Sequence, residues 1–423
     1  MKSLISLGAG GAVLFGGYNL YSGDYSTYAR YVMPTVHMLW GAERSHTLAI
    51  LAAKYGFLPK IKDHKETKRV LATNILGIDV QNPVGLAAGC DKNGEAIVGM
   101  SELGFGFIEV GSTTPESQKG NLHFPRVFRL KEDRAIINRY GFNNTGHDAM
   151  YENLQRQADD IRKKNIIVGV NLGKNKTTED AAQDYIKGLQ KFYSLDVVKY
   201  FVINISSPNT PNLRSFQEAN QLTDLLQKVL TEKAQLDKNH NIKKPLLLKI
   251  APDLSQEQIK SIANVVNKFA KDSAKLSTVD GLIISNTTVS RPNTLKSPMT
   301  LVQEEGGLSG PPLRDMSVQV IRDMYRLTSL PIIGVGGIET GLDAYKKIAA
   351  GASAVQLYTS MTYFVSIFVY FFLNFIFKFY LTFSFLLFKG PPIIREIKKE
   401  LAMILLYKKF SSYSEMIGCD NKK

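Results

Sequence analysis

From residue 78 onward, short apolar runs alternate with longer stretches in which apolar positions recur every three or four residues. The runs are Pro83–Gly89, Phe105–Gly111, Ile166–Gly173, Tyr200–Ser206, Leu246–Ala251, Gly281–Ser285, Ile332–Gly337 and Ala354–Tyr358. Most are continuous rather than alternating, as in strands buried on both faces of a parallel sheet. Between them Asp180–Leu195, Glu218–Leu236, Gln256–Phe269 and Ser317–Leu327 have the amphipathic spacing of helices. Eight successive βα units predict an α/β fold closed as a (β/α)8 TIM barrel. An open doubly wound sheet is the second architecture, and it rarely needs so many units.

The flanks read differently. Residues 4–21 are apolar and uncharged, marginal in length for crossing about 30 Å of hydrocarbon. They predict a membrane anchor or targeting segment over 1–22; a secretory core is the other reading, but no small-residue cleavage site follows. Tyr25–Trp40 and Arg44–Phe57 predict a helical hairpin, with Tyr28, Tyr31, Val32, Thr35, Val36 and Leu39, then Leu48, Leu51, Ala52 and Tyr55, on apolar faces. A helix pair capping a core is the simpler alternative. Residues 59–70 are charged, lack an apolar period and read as a linker. The hairpin and linker thus span 23–70, and the barrel spans 71–423.

One segment breaks this order. Residues 364–388 hold ten of the chain's 22 Phe and one charge, Lys378, enough to suggest a transmembrane helix. They fall, however, between the eighth strand and a helix that places Ile393, Ile397, Leu401 and Ile404 on one face. A single crossing would part that helix from its barrel. A re-entrant or surface hairpin, an unpaired apolar loop and translated non-coding sequence remain, and the extreme Phe bias favours the last. Without the segment, Met361-Thr362-Tyr363 would join Lys389-Gly390-Pro391-Pro392 as an ordinary short loop.

Composition narrows the chemistry. With 44% hydrophobic and 21% charged residues the chain is neither fibrous nor disordered. Cys90 and Cys419 lie far apart, which excludes a disulfide framework or a thiolate zinc site. The six histidines form no HxxxH or HExxH pair, so no metal site is expected. A net charge of +14 suits nucleic acid, an anionic membrane or a phosphorylated ligand. The lysines are scattered and Lys62–Arg69 has no interleaved aromatics, so no nucleic-acid partner is expected.

Parallel barrels place functional groups where strands end, and polar residues cluster there. The clusters are Ala87-Ala88-Gly89-Cys90-Asp91-Lys92, Gly111-Ser112-Thr113-Thr114, Asn171-Leu172-Gly173-Lys174, Asn204-Ile205-Ser206-Ser207-Pro208-Asn209, Lys249, Ser285-Asn286-Thr287-Thr288, Gly334-Val335-Gly336-Gly337 and Tyr358-Thr359. Glycines after the seventh strand suit a phosphate, because backbone N–H groups can approach an anion there; structural turn glycines are the plainer reading. Asn138, Asn143, Asn171, Asn204, Asn209 and Asn286 offer donors and acceptors without charge, suited to a ring ligand with N–H and C=O edges. Singly, each is more simply a turn or cap residue. Lys92 and Lys249 could stabilise negative charge on a cofactor ring or a substrate carboxylate. For Lys249 an aldolase-type Schiff base is the alternative, though no acid–base carboxylate set accompanies it.

The ordered segments AAGCDKNGEA, GSTTPESQKGN, PRVFRL, NRYGFNN, GVNLGKNK, NISSPNTPNLR, LKIAPDL, SNTTVSRP, GGLSGPPLRD, PIIGVGGI and AGASAVQLYTS resemble the successive signatures of the dihydroorotate dehydrogenase family, membrane-bound class 2. The resemblance runs over roughly 30–363 and resumes at 389–423. It implies an FMN enzyme on a (β/α)8 barrel that oxidises dihydroorotate to orotate in pyrimidine (UMP) synthesis and passes electrons to ubiquinone at the mitochondrial inner membrane. By resemblance Ser207 is the catalytic base; class 1 members have Cys there. Substrate positions are Lys92, Asn138, Arg139, Tyr140, Gly141, Phe142, Asn143, Asn204, Asn209, Asn286 and Thr287. FMN positions are Ala87, Ala88, Gly89, Ser112, Asn138, Asn171, Asn204, Lys249, Ser285, Gly310, Gly337, Tyr358 and Thr359.

The segment YVMPTVHMLWGAERSHTLAILAAKYGFLP resembles the family's quinone-tunnel helices. Met33, His37, His46 and Ala49 fall at tunnel-lining positions, with Arg129 at the inner end and Thr362 and Pro391 on the wall. A solvated helix face is the plainer reading of both histidines. His37 departs from the Gln expected in animal members, and Cys90 from a residue often Phe. The insert separates Thr362 from Pro391. A non-catalytic membrane-associated isoform, or a mis-spliced product, is therefore the second functional reading.

Overall fold

The computed structural model describes residues 41–61, 63–271, 276–362 and 393–421. The expected anchor, the first hairpin arm with Met33 and His37, the insert 364–388 and Pro391 lie outside the described residues.

Eight strands, β1 (Val84–Leu86), β2 (Phe107–Thr113), β3 (Val168–Leu172), β4 (Val198–Asn204), β5 (Leu246–Ile250), β6 (Gly281–Ile284), β7 (Ile332–Val335) and β8 (Ala354–Leu357), match the eight apolar runs. Each pairs in parallel with its sequence neighbours, and β8 pairs with β1, so the sheet closes into a barrel. The chain is thus a TIM barrel, not an open doubly wound sheet. Successive residues on each strand pack into two different cores, because side chains alternate across a sheet. Ile108, Val110, Val170, Leu248 and Ile284 join the layer under the helices. Phe107, Tyr200, Val202, Leu247, Ile283, Ile333 and Ala354 fill the interior. Gly169 faces that interior, where a Cβ would lie 2.0 Å from the Tyr200 ring, so the bare backbone makes room for the aromatic. The hairpin of Thr73–Ile75 with Ile78–Val80 plugs the lower end through Ile75 and Val80.

The amphipathic stretches are helices at Ala181–Phe192, Ala219–His240, Gln256–Lys268 and Arg314–Leu327. Ser255 and Gln258 form a capping box at one helix start, and Thr340 with Asp343 at the start of Gly341–Ala349. The barrel is completed by Ile393–Tyr407, which buries Ile393, Ile394, Ile397 and Leu401. The closing helix is therefore seated on the same barrel as β8, whatever the connection between them.

Two local findings were not expected. The charged stretch 59–70, read as a linker, contains the helix Lys65–Leu71, which buries Leu71 against the core; one apolar anchor suffices where periodicity is too short to detect. An antiparallel sheet of Val127–Leu130, Ala135–Asn138 and Gly307–Ser309 covers the upper rim. Its alternating burial on either side of the Lys131–Arg134 turn was the available signal. No helix among the described residues is long and apolar enough to cross a membrane; the expected anchor over 1–22 lies outside them.

Candidate active site

Strand ends, the rim sheet and the helix Ala42–Lys54 enclose one cavity of about 300 Å³. Ala87, Ala88, Gly89, Ser112, Lys249 and Ser285 line it from the strands. Asn138, Tyr140, Gly141, Phe142 and Asn143 reach it from the rim sheet and the loop that follows. Asn204, Ser207, Asn209, Asn286 and Thr287 close the amide-rich side. Gly310, Gly337, Tyr358 and Thr359 form the wall beyond β7 and β8. His46, Ala49 and Arg129 line the remaining end.

Two named residues stand apart. Arg139 does not line the cavity: its guanidinium pairs with Glu304 at 2.6 Å and packs on Phe128. In an extended strand end, neighbours point to opposite sides, so Asn138 and Tyr140 face in and Arg139 faces out. Asn171 is fully buried beneath the wall and acts through Ser112, whose Oγ donates to Asn171 Oδ1. Thr362 ends the 3-10 turn Thr359–Thr362 after β8.

The amides are ordered by one another. Asn204 Nδ2 donates to Ser112 Oγ at 3.0 Å, and Asn286 Nδ2 donates to Asn204 Oδ1 at 3.1 Å. Asn209 Nδ2 donates to Asn138 Oδ1 at 3.2 Å. Ser207 Oγ accepts from the Asn209 backbone N–H at 3.4 Å, and Ser206 Oγ donates to the Lys249 carbonyl at 2.8 Å. Such a chain fixes which face of each amide meets a ligand.

Charge is sparse and buried. Lys92 Nζ donates to Asn143 Oδ1 at 2.9 Å and stands 3.3 Å over the Tyr140 ring. Burial, reinforced by nearby Arg126, pushes its ammonium down to about 7. Burial also lowers Lys249, opposed by Glu109. His46 is held by its Nε2 N–H, which donates to the Cys90 carbonyl at 2.7 Å; burial and Lys92 push its imidazole down to about 4. It is therefore a neutral ring in the cavity wall, not part of a solvated helix face.

At the far wall Gly336 and Gly337 have φ of +105° and +71°, and a Cβ on Gly337 would lie 2.7 Å from that of Arg314. Arg314 Nε donates to the Gly337 carbonyl at 2.9 Å and meets Asp343 at 2.9 Å. Glu339 beside it is paired with Arg134 and Arg314. The opposite end, with Ala42, Ala49, Ala52, Leu58, Met100, Leu103, Leu357 and Met361, is apolar. Sequence reading missed the acidic Glu109 and the Gln356 beside it, because both sit mid-strand in apolar runs; their polarity within such runs was the signal.

The fold and this cavity define a (β/α)8-barrel enzyme whose active site is built at the C-terminal ends of the strands. A family model described as dihydroorotate dehydrogenase matches residues 70–370. The chain is 43% identical to "Dihydroorotate dehydrogenase (quinone), mitochondrial" of Mus musculus, over 100% of this chain and 98% of the mouse protein. It is 43% identical to "Dihydroorotate dehydrogenase (quinone)" of Rhodospirillum rubrum, over 90% of this chain and 91% of that one. A crystal structure of DHODH from Eimeria tenella in complex with ferulenol superposes with a TM-score of 0.77 at 37% identity, covering 92% of this chain and 100% of that one. The chain belongs to the dihydroorotate dehydrogenase family and is an oxidoreductase.

Proposed function

We propose that the protein oxidises dihydroorotate to orotate in pyrimidine synthesis, using FMN and passing the electrons to ubiquinone at the mitochondrial inner membrane. The observation that carries this reading is one continuous cavity with an amide-rich end at Ser207 and an apolar end at His46 and Ala49. A polar substrate and a lipid-soluble oxidant could thus meet opposite sides of one buried ring. The relatives' printed names, quinone-dependent and in several cases mitochondrial, support both substrates and the location. Residues 1–22 are assigned as the membrane anchor, and no nucleic-acid partner is assigned.

The lining fits a flavin. Gln356 Oε1 and Ser360 Oγ are buried polar atoms of the cavity wall with no protein partner, which suits a ring and a phosphate that donate and accept there. A Cβ built on Gly89 meets nothing within 4 Å, so a planar group can approach that backbone closely. Gly310, Gly337, Tyr358 and Thr359 would hold the phosphate end, and Ala87, Ala88, Gly89, Ser112, Ser285 and Lys249 the ring, with Asn171 ordering Ser112 from behind the wall. When bound, FMN supplies the acceptor for the C6 hydride and the relay to the quinone.

The chain's own residues do the rest. Ser207 Oγ takes the C5 proton of dihydroorotate as base. Its lone pairs are oriented by the Asn209 N–H. Asn138, Asn143, Asn204, Asn209, Asn286 and Thr287 hold the dihydropyrimidine edge, with Tyr140, Gly141 and Phe142 shaping the loop above it. Lys92 offers its ammonium to the substrate carboxylate, where a paired anion would restore the charge that burial disfavours. Arg139 acts from outside by tying this loop to Glu304. His46, Ala49 and Arg129 line the quinone path, with Met33, His37, Thr362 and Pro391 assigned to its wall.

The non-catalytic reading is not favoured. The closing helix Ile393–Tyr407 packs against Gly341–Ala349 and the core, where the last helix of the barrel belongs. Family membership likewise leaves the imine role of Lys249 without support. The test is spectroscopic: the purified protein is yellow, and its flavin bleaches on adding dihydroorotate. Ser207→Ala slows bleaching by about 10²–10⁴-fold, the usual contribution of a general base. Unchanged bleaching in that variant overturns the base assignment, and a colourless protein that binds no FMN overturns the function.

A further inference from the structure

One fully buried charge has no part in this mechanism. Glu109 on β2 points into the barrel interior, one inward position above Phe107, and its side chain has no exposed surface. It does not line the cavity, whereas Lys249 and Gln356 do. Glu109 Oε1 accepts from Asn171 Nδ2 on β3 at 2.8 Å and faces Lys249 Nζ on β5 at 3.8 Å. Glu109 Oε2 accepts from Gln356 Nε2 on β8 at 2.8 Å. Donors from three strands thus converge on one carboxylate. The amide orientations are fixed, since Asn171 Oδ1 already accepts from Ser112 and from Asn204. With its Nε2 turned to Glu109, Gln356 presents Oε1 as an unpaired acceptor.

We propose that Glu109 is a positioning residue for the redox step: it keeps Lys249 protonated beside the flavin and turns the Gln356 and Asn171 amides so that the ring meets a fixed set of partners. The inference rests on the flavin reading above. Its physical basis is competition between burial and pairing. Burial alone disfavours the Lys249 ammonium, and Glu109 opposes that effect. The other titratable group in the interior is Tyr200 on β4, whose hydroxyl burial keeps protonated. Among the described residues, then, Glu109 is the charge that acts on Lys249.

Neutralising Glu109 has two opposite consequences. While Lys249 keeps its proton, a lone cation beside the ring favours the reduced, more negative cofactor. Once Lys249 loses its proton, which now happens at lower pH, that support is gone. The curves of midpoint potential against pH for the native protein and Glu109→Gln must therefore cross.

The experiment measures that potential by equilibrium dye titration of flavin-loaded native protein, Glu109→Gln and Glu109→Asp from pH 6 to 10. We expect Glu109→Gln to be more positive at the acid end and more negative at the alkaline end. Its alkaline fall is expected about 1–3 pH units below the native one, the span an opposite charge at this range commands. A tenfold change in relative affinity for reduced over oxidised flavin reads as about 30 mV. Glu109→Asp, which withdraws the charge by one methylene, falls between the two. Parallel or superimposed native and Gln curves overturn the proposal. Should Glu109→Gln not fold, an Asp curve identical to the native one overturns it instead. A native protein that binds no flavin refutes the cofactor reading, a result distinct from either of these.

Discussion

Lys398 offers a direct measure of how firmly the barrel is closed. It lies wholly buried on the closing helix, with Nζ donating to Asp63 Oδ2 at 2.5 Å and to the Gly104 carbonyl at 2.6 Å. Asp63 Oδ1 has no hydrogen-bond partner, so Lys398→Met leaves a buried carboxylate uncompensated, while the Gly104 carbonyl keeps the Asn82 Nδ2 donor at 3.2 Å. Breaking one side of a buried pair costs about 3–5 kcal/mol. Against this, Ile393, Ile394, Ile397, Leu401 and Leu405 are buried on the same helix, each contributing about 1.5–3 kcal/mol. The helix therefore stays docked while the protein loses stability, which urea titration of native protein, Lys398→Met, Asp63→Asn and the double variant will resolve. The double variant is expected to fall short of the sum of the singles by about 2 kcal/mol, because the second change removes the charge the first one stranded. Additivity within about 0.5 kcal/mol would refute the latch. The result matters for function because this contact seats the last helix through residues 63 and 104, independently of the chain between Thr362 and Ile393.

Two further outcomes follow from the geometry. Ala49→Phe narrows the apolar end of the cavity, so quinone reduction falls about tenfold or more, roughly 1.4 kcal/mol of barrier, while bleaching by dihydroorotate is unchanged; stopped-flow of the two half-reactions separates them, and equal losses in both would refute a distinct quinone path. Lys347 is fully buried with Nζ donating to Ser317 Oγ, and burial pushes it from 10.5 down to about 7. The unfolded chain then holds one more proton than the folded one between those values, so native stability rises with pH there. Measured against Lys347→Met, which lacks this group, the native advantage should grow by up to about 1.4 kcal/mol per unit from pH 7 to 10. A flat difference in chemical denaturation would refute it.

Much of this protein could be read from its residues in order. Eight continuous apolar runs specify strands buried on both faces, and period-3.6 stretches between them specify covering helices, because both patterns are local consequences of backbone geometry. Strand ends could be located the same way, which is why Lys92, Ser112, Asn204, Ser207, Lys249 and Asn286 could be named together before any contact between them was known. Direction was harder. Arg139 shares its segment with Asn138 and Tyr140, yet points away from the cavity toward Glu304. The short rim strands and the helix Lys65–Leu71 were too brief for periodicity to stand out. Glu109 shows the division most plainly. In sequence it is one acidic residue inside FGFIEVG, with nothing nearby to pair it. Only closure of the barrel brings Asn171, Lys249 and Gln356 to it, from positions 62, 140 and 247 residues further along the chain. Periodicity is set by neighbours along the backbone, whereas the environment of a charge is set by whatever the fold places across from it.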